Sequence, residues 1–219
     1  MNLKPPLLLL VIILIATAQS LKAGELATEL ANNALGSIKT LSASFEQIKA
    51  NRSFKNKDIS RGKIIIIRPD RFRLDFENGK SIVADGENLI AYDPQTKKVY
   101  KGNLRTTASK DILFMLLLGK VKLSKIFTIS RIKNSDQSKY YLKLLPKKGY
   151  PALKGLLIIL RKGSLDILTI KIIDQLGNSN SFNFFDHTSI IKGRKNMFKI
   201  KKIDDLKIEP FDLLYKKGW

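Results

Sequence analysis

Residues 61–94 (RGKIIIIRPDRFRLDFENGKSIVADGENLIAYDP) constrain this chain more than any other stretch. Gly62 to Arg68 is apolar and β-branched, and Pro69, which lacks a backbone donor, ends or edges the strand. Asp70 to Phe76 then alternates, with Phe72, Leu74 and Phe76 on one face and Arg71, Arg73 and Asp75 on the other. Asn78-Gly79 and Asp85-Gly86 are hairpin turn signals, and Asp93-Pro94 closes a strand holding Leu89, Ile90 and Tyr92. Four short strands with turns this tight form a twisted antiparallel meander with one greasy face. Such a face has to be covered by something.

The rest of the chain supplies covers and more strands. Leu26, Leu30, Ala34, Ile38 and Leu41 recur at helical spacing, with Ala27, Ala31 and Leu35 widening the stripe, so the pattern predicts a helix over 25–41. Ser44 to Ile48 alternates as a strand, 51–60 is a polar, basic loop, and Lys97 to Gly102 adds a strand. Ser109 is a candidate N-cap for Ile112 to Leu118, seven consecutive apolar residues ended by Gly119. A helix apolar all round is either wholly buried or a cover over something greasy. Further strands are predicted over 126–132, 140–145, 156–161, 165–174, 179–185 and 197–203. No repeat or linker divides them, so the expectation is one mainly β domain with helices.

At the N-terminus, Lys4 precedes an apolar run from Leu7 to Ala18 followed by small residues, the pattern of a secretory signal peptide. Twelve residues are too few to span a bilayer, which takes about 20. Cleavage after Ala23 (or Ser20) removes it, and an uncleaved anchor is the alternative. Taking 1–23 off the 219 residues leaves 196, numbered 24–219, enough for a single domain with a sizeable core. The absence of cysteine rules out disulfides and also the cysteine-borne lipid of a bacterial lipoprotein. The released chain is therefore expected to be soluble.

The net charge of +21 is spread along the chain rather than gathered beside aromatic residues, which argues against a nucleic-acid partner. Its densest run, Lys192 to Lys202, reads as a solvated face, with an anionic bilayer or acidic partner as the alternative. Catalytic chemistry is hard to place. The single histidine, His187, has no cysteine or motif around it, and neither a nucleophile elbow nor a phosphate-binding Gly-rich loop is present. The aspartates mostly sit at turns, where they are favoured for backbone reasons. A binder without metal or cofactor is the expectation, and not an enzyme.

One ordered series of motifs goes further: Leu41 to Gln47 (LSASFEQ), Arg68-Pro69, Phe72-Arg73-Leu74, Asp85-Gly86, Tyr92-Asp93-Pro94, Phe114 to Leu118 (FMLLL), and Asp174, Gly177, Phe182 and Phe184. In this order they resemble the bacterial outer-membrane lipoprotein carrier family, LolA, over nearly all of the chain after its leader. Leu74 and Ile90 stand where many members carry tryptophan. The resemblance implies an incomplete antiparallel β-barrel, a half-barrel, with an N-terminal helix and a helical lid at residues 112–118. It implies a periplasmic chaperone whose cavity holds lipoprotein acyl chains. Leu35, Leu41, Phe72, Leu74, Phe114, Met115, Leu116 and Leu117 are the implied cavity residues, and Arg68 the implied latch on the lid backbone. Read from the residues alone, the former are ordinary core and Arg68 is a strand-end arginine. The implied partners are lipoproteins, an inner-membrane ABC-type exporter and an outer-membrane acceptor, with the carrier itself a monomer. A second reading is an envelope-stress sensing module of the same fold, which would need a further domain.

Overall fold

The computed structural model describes residues 23–54, 56–119, 122–147, 150–189, 195–200 and 206–215. Almost all of the expected leader, the turn residue Gly149 and residues 192–194 and 201–202 of the basic run lie outside them.

Twelve strands form one sheet. In chain order they are β1 (Thr40–Ala50), β2 (Lys57–Ile67), β3 (Arg71–Phe76), β4 (Ser81–Asp85), β5 (Asn88–Asp93), β6 (Lys98–Asn103), β7 (Phe127–Ile132), β8 (Lys139–Pro146), β9 (Leu153–Arg161), β10 (Ile167–Asp174), β11 (Ser179–Thr188) and β12 (Ile208–Pro210). Their spatial order is β12-β6-β5-β4-β3-β2-β1-β11-β10-β9-β8-β7, so among the described residues β12 and β7 are the edges and the barrel stays open. Pairing is antiparallel throughout except for β12 on β6, which is parallel. Two meanders, β1–β6 and β7–β11, meet where β1 pairs with β11.

The strand alternation decides which side is inner. Ile64 and Ile66 on β2 lie opposite Leu74 and Phe72 on β3, which lie opposite Ile82 and Ala84 on β4; all six are buried. Ala43, Phe45 and Gln47 bring β1 into the same surface. The turns behave as their residues require: Gly79 and Gly86 take positive φ (85° and 112°), open to glycine at little steric cost.

Helices line the inner face: α1 (residues 23–36), α2 (Leu104–Ala108), α3 (Ile112–Leu118), the single-turn α4 (Leu123–Ile126) and α5 (Asp212–Tyr215). The first helix is shorter than the spacing predicted. It stops at Gly36, and Leu41 lies on β1, where strand parity turns it inward with Ala43 and Phe45. Its buried face is also rotated from the expected leucine stripe. Ala27, Ala31, Ala34 and Leu35 face the core, and Leu26 is 47% exposed. Small side chains there let the helix backbone approach the sheet closely. Ser109 ends α2 rather than starting α3; the N-cap of α3 is Asp111, whose carboxylate accepts from the Leu113 and Phe114 amides.

Two further differences lie in the loops and the C-terminal part. β2 begins at Lys57, so the expected loop to Ser60 is shorter. The strand expected over 197–203 is not one in its described part. Lys195–Phe198 is a 3₁₀ turn on the outer face of β3 and β4, where Arg73 donates to the carbonyls of Met197 and Lys199, both at 3.0 Å. That cover accounts for the burial of Val83 on the side of β4 turned away from the helices.

Candidate functional site

A cavity of about 610 Å³ lies between the sheet and the start of α3. Its apolar wall is Leu74, Phe76, Ile82, Leu153, Ile172 and Phe182 from the sheet, with Ile112, Leu113 and Phe114 from α3. The size falls in the ordinary range of ligand pockets, roughly 300–1,000 Å³. Its rim is polar. Lys110, in the α2–α3 connection, bonds Asp212 on α5 at 3.0 Å, and Gln47 donates to Asn180 at 2.9 Å. A larger groove, about 950 Å³, runs between α1 and the edge strand β7. Glu25, Glu29, Asn32 and Lys147 line it beside Phe127 and Ile129, and it is more open to solvent than the cavity under α3.

The residues singled out by sequence fall into three groups. Leu74 and Phe114 line the 610 Å³ cavity. Leu35, Leu41, Leu116 and Leu117 come together elsewhere, with Ile38, Ile66, Ile167, Ile170 and Phe184, around a gap of only about 10 Å³. That leaves room for about one water at most, so this part of the interior is packed shut. Phe72 and Met115 touch neither space. Phe72 is fully buried, its ring stacked on Phe114 at 5.4 Å, and Phe114 in turn meets Phe211 edge-on at 6.1 Å. Met115 lines a third space, about 510 Å³, together with Leu35, Arg68, Leu116 and Leu123. Sequence reasoning did not find Leu113, Leu153, Ile172 or Leu214 as lining residues. The last belongs to a C-terminal Phe-x-x-Leu spacing (Phe211, Leu214) that was the available signal.

Arg68 bridges the ends of α1 and α3. Even-numbered residues of β2 face inward, and Arg68 continues that parity just past the strand end. Its amide donates to the Lys39 carbonyl at 3.0 Å, and its guanidinium reaches three further carbonyls. Nε donates to Leu117 (3.0 Å), Nη2 to Leu116 (2.8 Å) and Nη1 to Leu35. These are C-terminal carbonyls of α3 and α1, where intrahelical donors run out; that of Leu116 also accepts from the Gly119 amide at 3.2 Å. One planar cation therefore caps two helices at the ends where their dipoles favour positive charge. Burial pushes the guanidinium down to about 10, which leaves it charged at neutral pH. Gly119, the left-handed C-cap of α3 (φ 66°), packs directly on it; a Cβ there would overlap the guanidinium.

Sequence comparison agrees with this geometry. The family model described as outer membrane lipoprotein carrier protein LolA matches residues 36–201. The outer-membrane lipoprotein carrier protein of Methylococcus capsulatus is 30% identical over 115 residues, or 52% of this chain and 54% of that protein. This chain thus aligns with about half the length of that relative. A carrier of the same name from Pseudomonas aeruginosa is 26% identical over 154 residues, 69% of this chain and 72% of its own. Among solved structures, a conserved protein from Thermus thermophilus superposes with a TM-score of 0.54 at 10% identity, covering 84% of this chain and 98% of its own, a likeness of fold alone. With more than half of its length matched in order, the chain belongs to the outer-membrane lipoprotein carrier family, LolA.

Proposed function

We propose that the protein is a periplasmic lipoprotein carrier. It takes lipoproteins from an inner-membrane ABC-type exporter by their acyl chains, shields those chains, and passes them to an outer-membrane acceptor. It works as a monomer, without a cofactor and without catalysing a reaction, after a leader at 1–23 has directed it across the inner membrane. The observation that carries this reading is the apolar cavity under α3, continuous in chemistry with a packed-shut layer that Arg68 holds closed.

Energetics favour a closable cavity over a permanent one. Three long acyl chains have about 45 methylenes, and at roughly 0.8 kcal/mol each they gain some 36 kcal/mol on leaving water. Usable affinity saturates near 18–21 kcal/mol. Some of that gain has to be spent on separating Leu116 and Leu117 from Leu35, Leu41 and the sheet. The same closure then favours release to an acceptor.

The test is uptake of a fluorescent acyl probe, with a triacylated lipopeptide as competitor. Ile172 is half-buried on the cavity wall, so Ile172→Glu is expected to fold and to bind the probe at least about tenfold more weakly, because a carboxylate there loses water without gaining a partner. Equal binding by parent and variant, or no competition by the lipopeptide, would remove the cavity from the account.

A further inference from the structure

The β1–β2 connection and the β10–β11 turn form a single tip. β1 and β2 pair as far as Ala50 and Lys57, while β3 joins that ladder only at Gly62, so the hairpin end projects five residues past its neighbour on that side. On the other side Ala50 pairs with Ser179, where β11 begins, which sets the turn at 175–178 against residues 51–54. The two are tied together: the Arg52 amide donates to the Asn178 side chain at 3.1 Å, and a Cβ on Gly177 would stand 2.8 Å from the Arg52 side chain. Asn51 fixes the hairpin end by accepting from the Ser53 and Phe54 amides.

This tip carries the two most exposed large apolar side chains among the described residues, Phe54 (73%) and Leu176 (76%), one on each turn. Neither belongs to the cavity. Around them stand Arg52 and Lys57, both exposed, and Lys49, whose ammonium is pushed down by burial and then by the charge of Lys80 nearby. The opposing acids are few. Asp58 is exposed, and the Asp174 carboxylate is engaged by the Asn178 amide and side chain. Two large apolar residues on rigid turns, ringed by cations, match the chemistry of an anionic bilayer surface: hydrocarbon below, phosphate at the level of the charges. Among the described residues the two side chains stand on separate turns.

We propose that this tip docks the protein transiently on anionic phospholipid bilayers, with Phe54 and Leu176 entering the interface and Arg52 and Lys57 meeting lipid phosphates. The contact is separate from the acyl cavity, so it stands or falls independently of cargo binding.

The full chain is expressed and the protein it yields is mixed with vesicles of phosphatidylglycerol and phosphatidylethanolamine, or of phosphatidylcholine alone, and sedimented. Binding is expected to the anionic vesicles only and to weaken as salt is raised. Phe54→Ser with Leu176→Ser should weaken it at least about tenfold. Arg52→Gln with Lys57→Gln should weaken it about fivefold for each cation removed. Acyl-probe uptake should be the same in all three proteins, which shows the variants folded. The proposal is overturned if the parent does not sediment, if it binds phosphatidylcholine equally, or if the variants bind like the parent. It is also overturned if the tip variants change self-association on sedimentation velocity without changing vesicle binding, which would make a second copy of the chain the occupant.

Discussion

Among the described residues no carboxylate pairs with Arg68; its guanidinium donates to carbonyl oxygens at the ends of α1 and α3. Bonds from a charged donor are worth about 1.5–3 kcal/mol each when they are lost. Arg68→Leu leaves the Leu35 and Leu117 carbonyls without that donor and is expected to shift the protein toward the open form. Arg68→Lys should behave nearly as badly, because a point charge cannot hold three carbonyls in a plane. Loading should survive in both variants while handover to an acceptor slows; the two steps are measured separately, and equal handover in parent and variants would reduce Arg68 to a structural cap. Gly119→Ala attacks the same contact from the lid side. A left-handed alanine costs about 1–2 kcal/mol, and its methyl displaces the guanidinium, so handover should slow in this variant too. A normal handover rate for Gly119→Ala would separate the helix cap from the latch. Since Arg68 stays charged until about pH 10, the latch should not respond to pH between 5 and 8.

Among the elements, the β4–β5 hairpin shows how a turn signal becomes stability. The Asp85 carboxylate accepts from the Glu87 and Asn88 amides at 2.9 and 2.7 Å. Partial burial, the largest single influence, would raise its pKa, but these two bonds, a third from the Asn88 side chain and the charge of Lys101 together outweigh it and hold the carboxyl below the usual carboxylate range. A depressed pKa contributes stability that is present above the unfolded value, about 3.9, and lost as pH falls through the folded one. Asp85→Ala should therefore lower the unfolding free energy by about 1–2 kcal/mol at pH 7, and by less at pH 3, in urea titrations. An unchanged gap at pH 3 would assign the effect to something other than the charge. Hairpins of this kind were legible in the sequence because the alternation and the turn residues agree at each step. The C-terminal elements were not: Ile208-Glu209-Pro210 is too short to show a period, and it joins β6 only through tertiary placement. The described part of the run expected over 197–203 failed in the other direction, Met197 and Phe198 lying in a 3₁₀ turn against the back of β3 and β4 instead of pairing. The site divided similarly. Leu74 and Phe114, named from the family pattern, line the 610 Å³ space, whereas Ile172 and Leu153 sit in strands whose alternation marks them as core and cannot mark a void.

For the whole molecule, the relevant quantity is how cargo couples to folding. A ligand that binds only the folded chain stabilises it by about 2.7 kcal/mol at one hundred times its dissociation constant. For a domain of about 200 residues, a saturating acyl ligand should therefore raise the melting temperature by roughly 5–10 °C. Calorimetry with and without a lipopeptide reads this directly, and no shift despite probe uptake would mean that the unfolded chain binds equally well. The position of β1 has a consequence in time as well. Its partner on one side, β2, follows it at once, whereas its partner on the other, β11, begins 129 residues after Ala50, at Ser179. Each meander can zip up from local turns, but the seam between them closes only across that long separation, which is the slow kind of contact in β proteins. Until residues 179–188 arrive, a chain emerging N-terminus first has β1 paired along one edge only. Such a chain remains an unfinished sheet, open along one side, until most of its length has emerged.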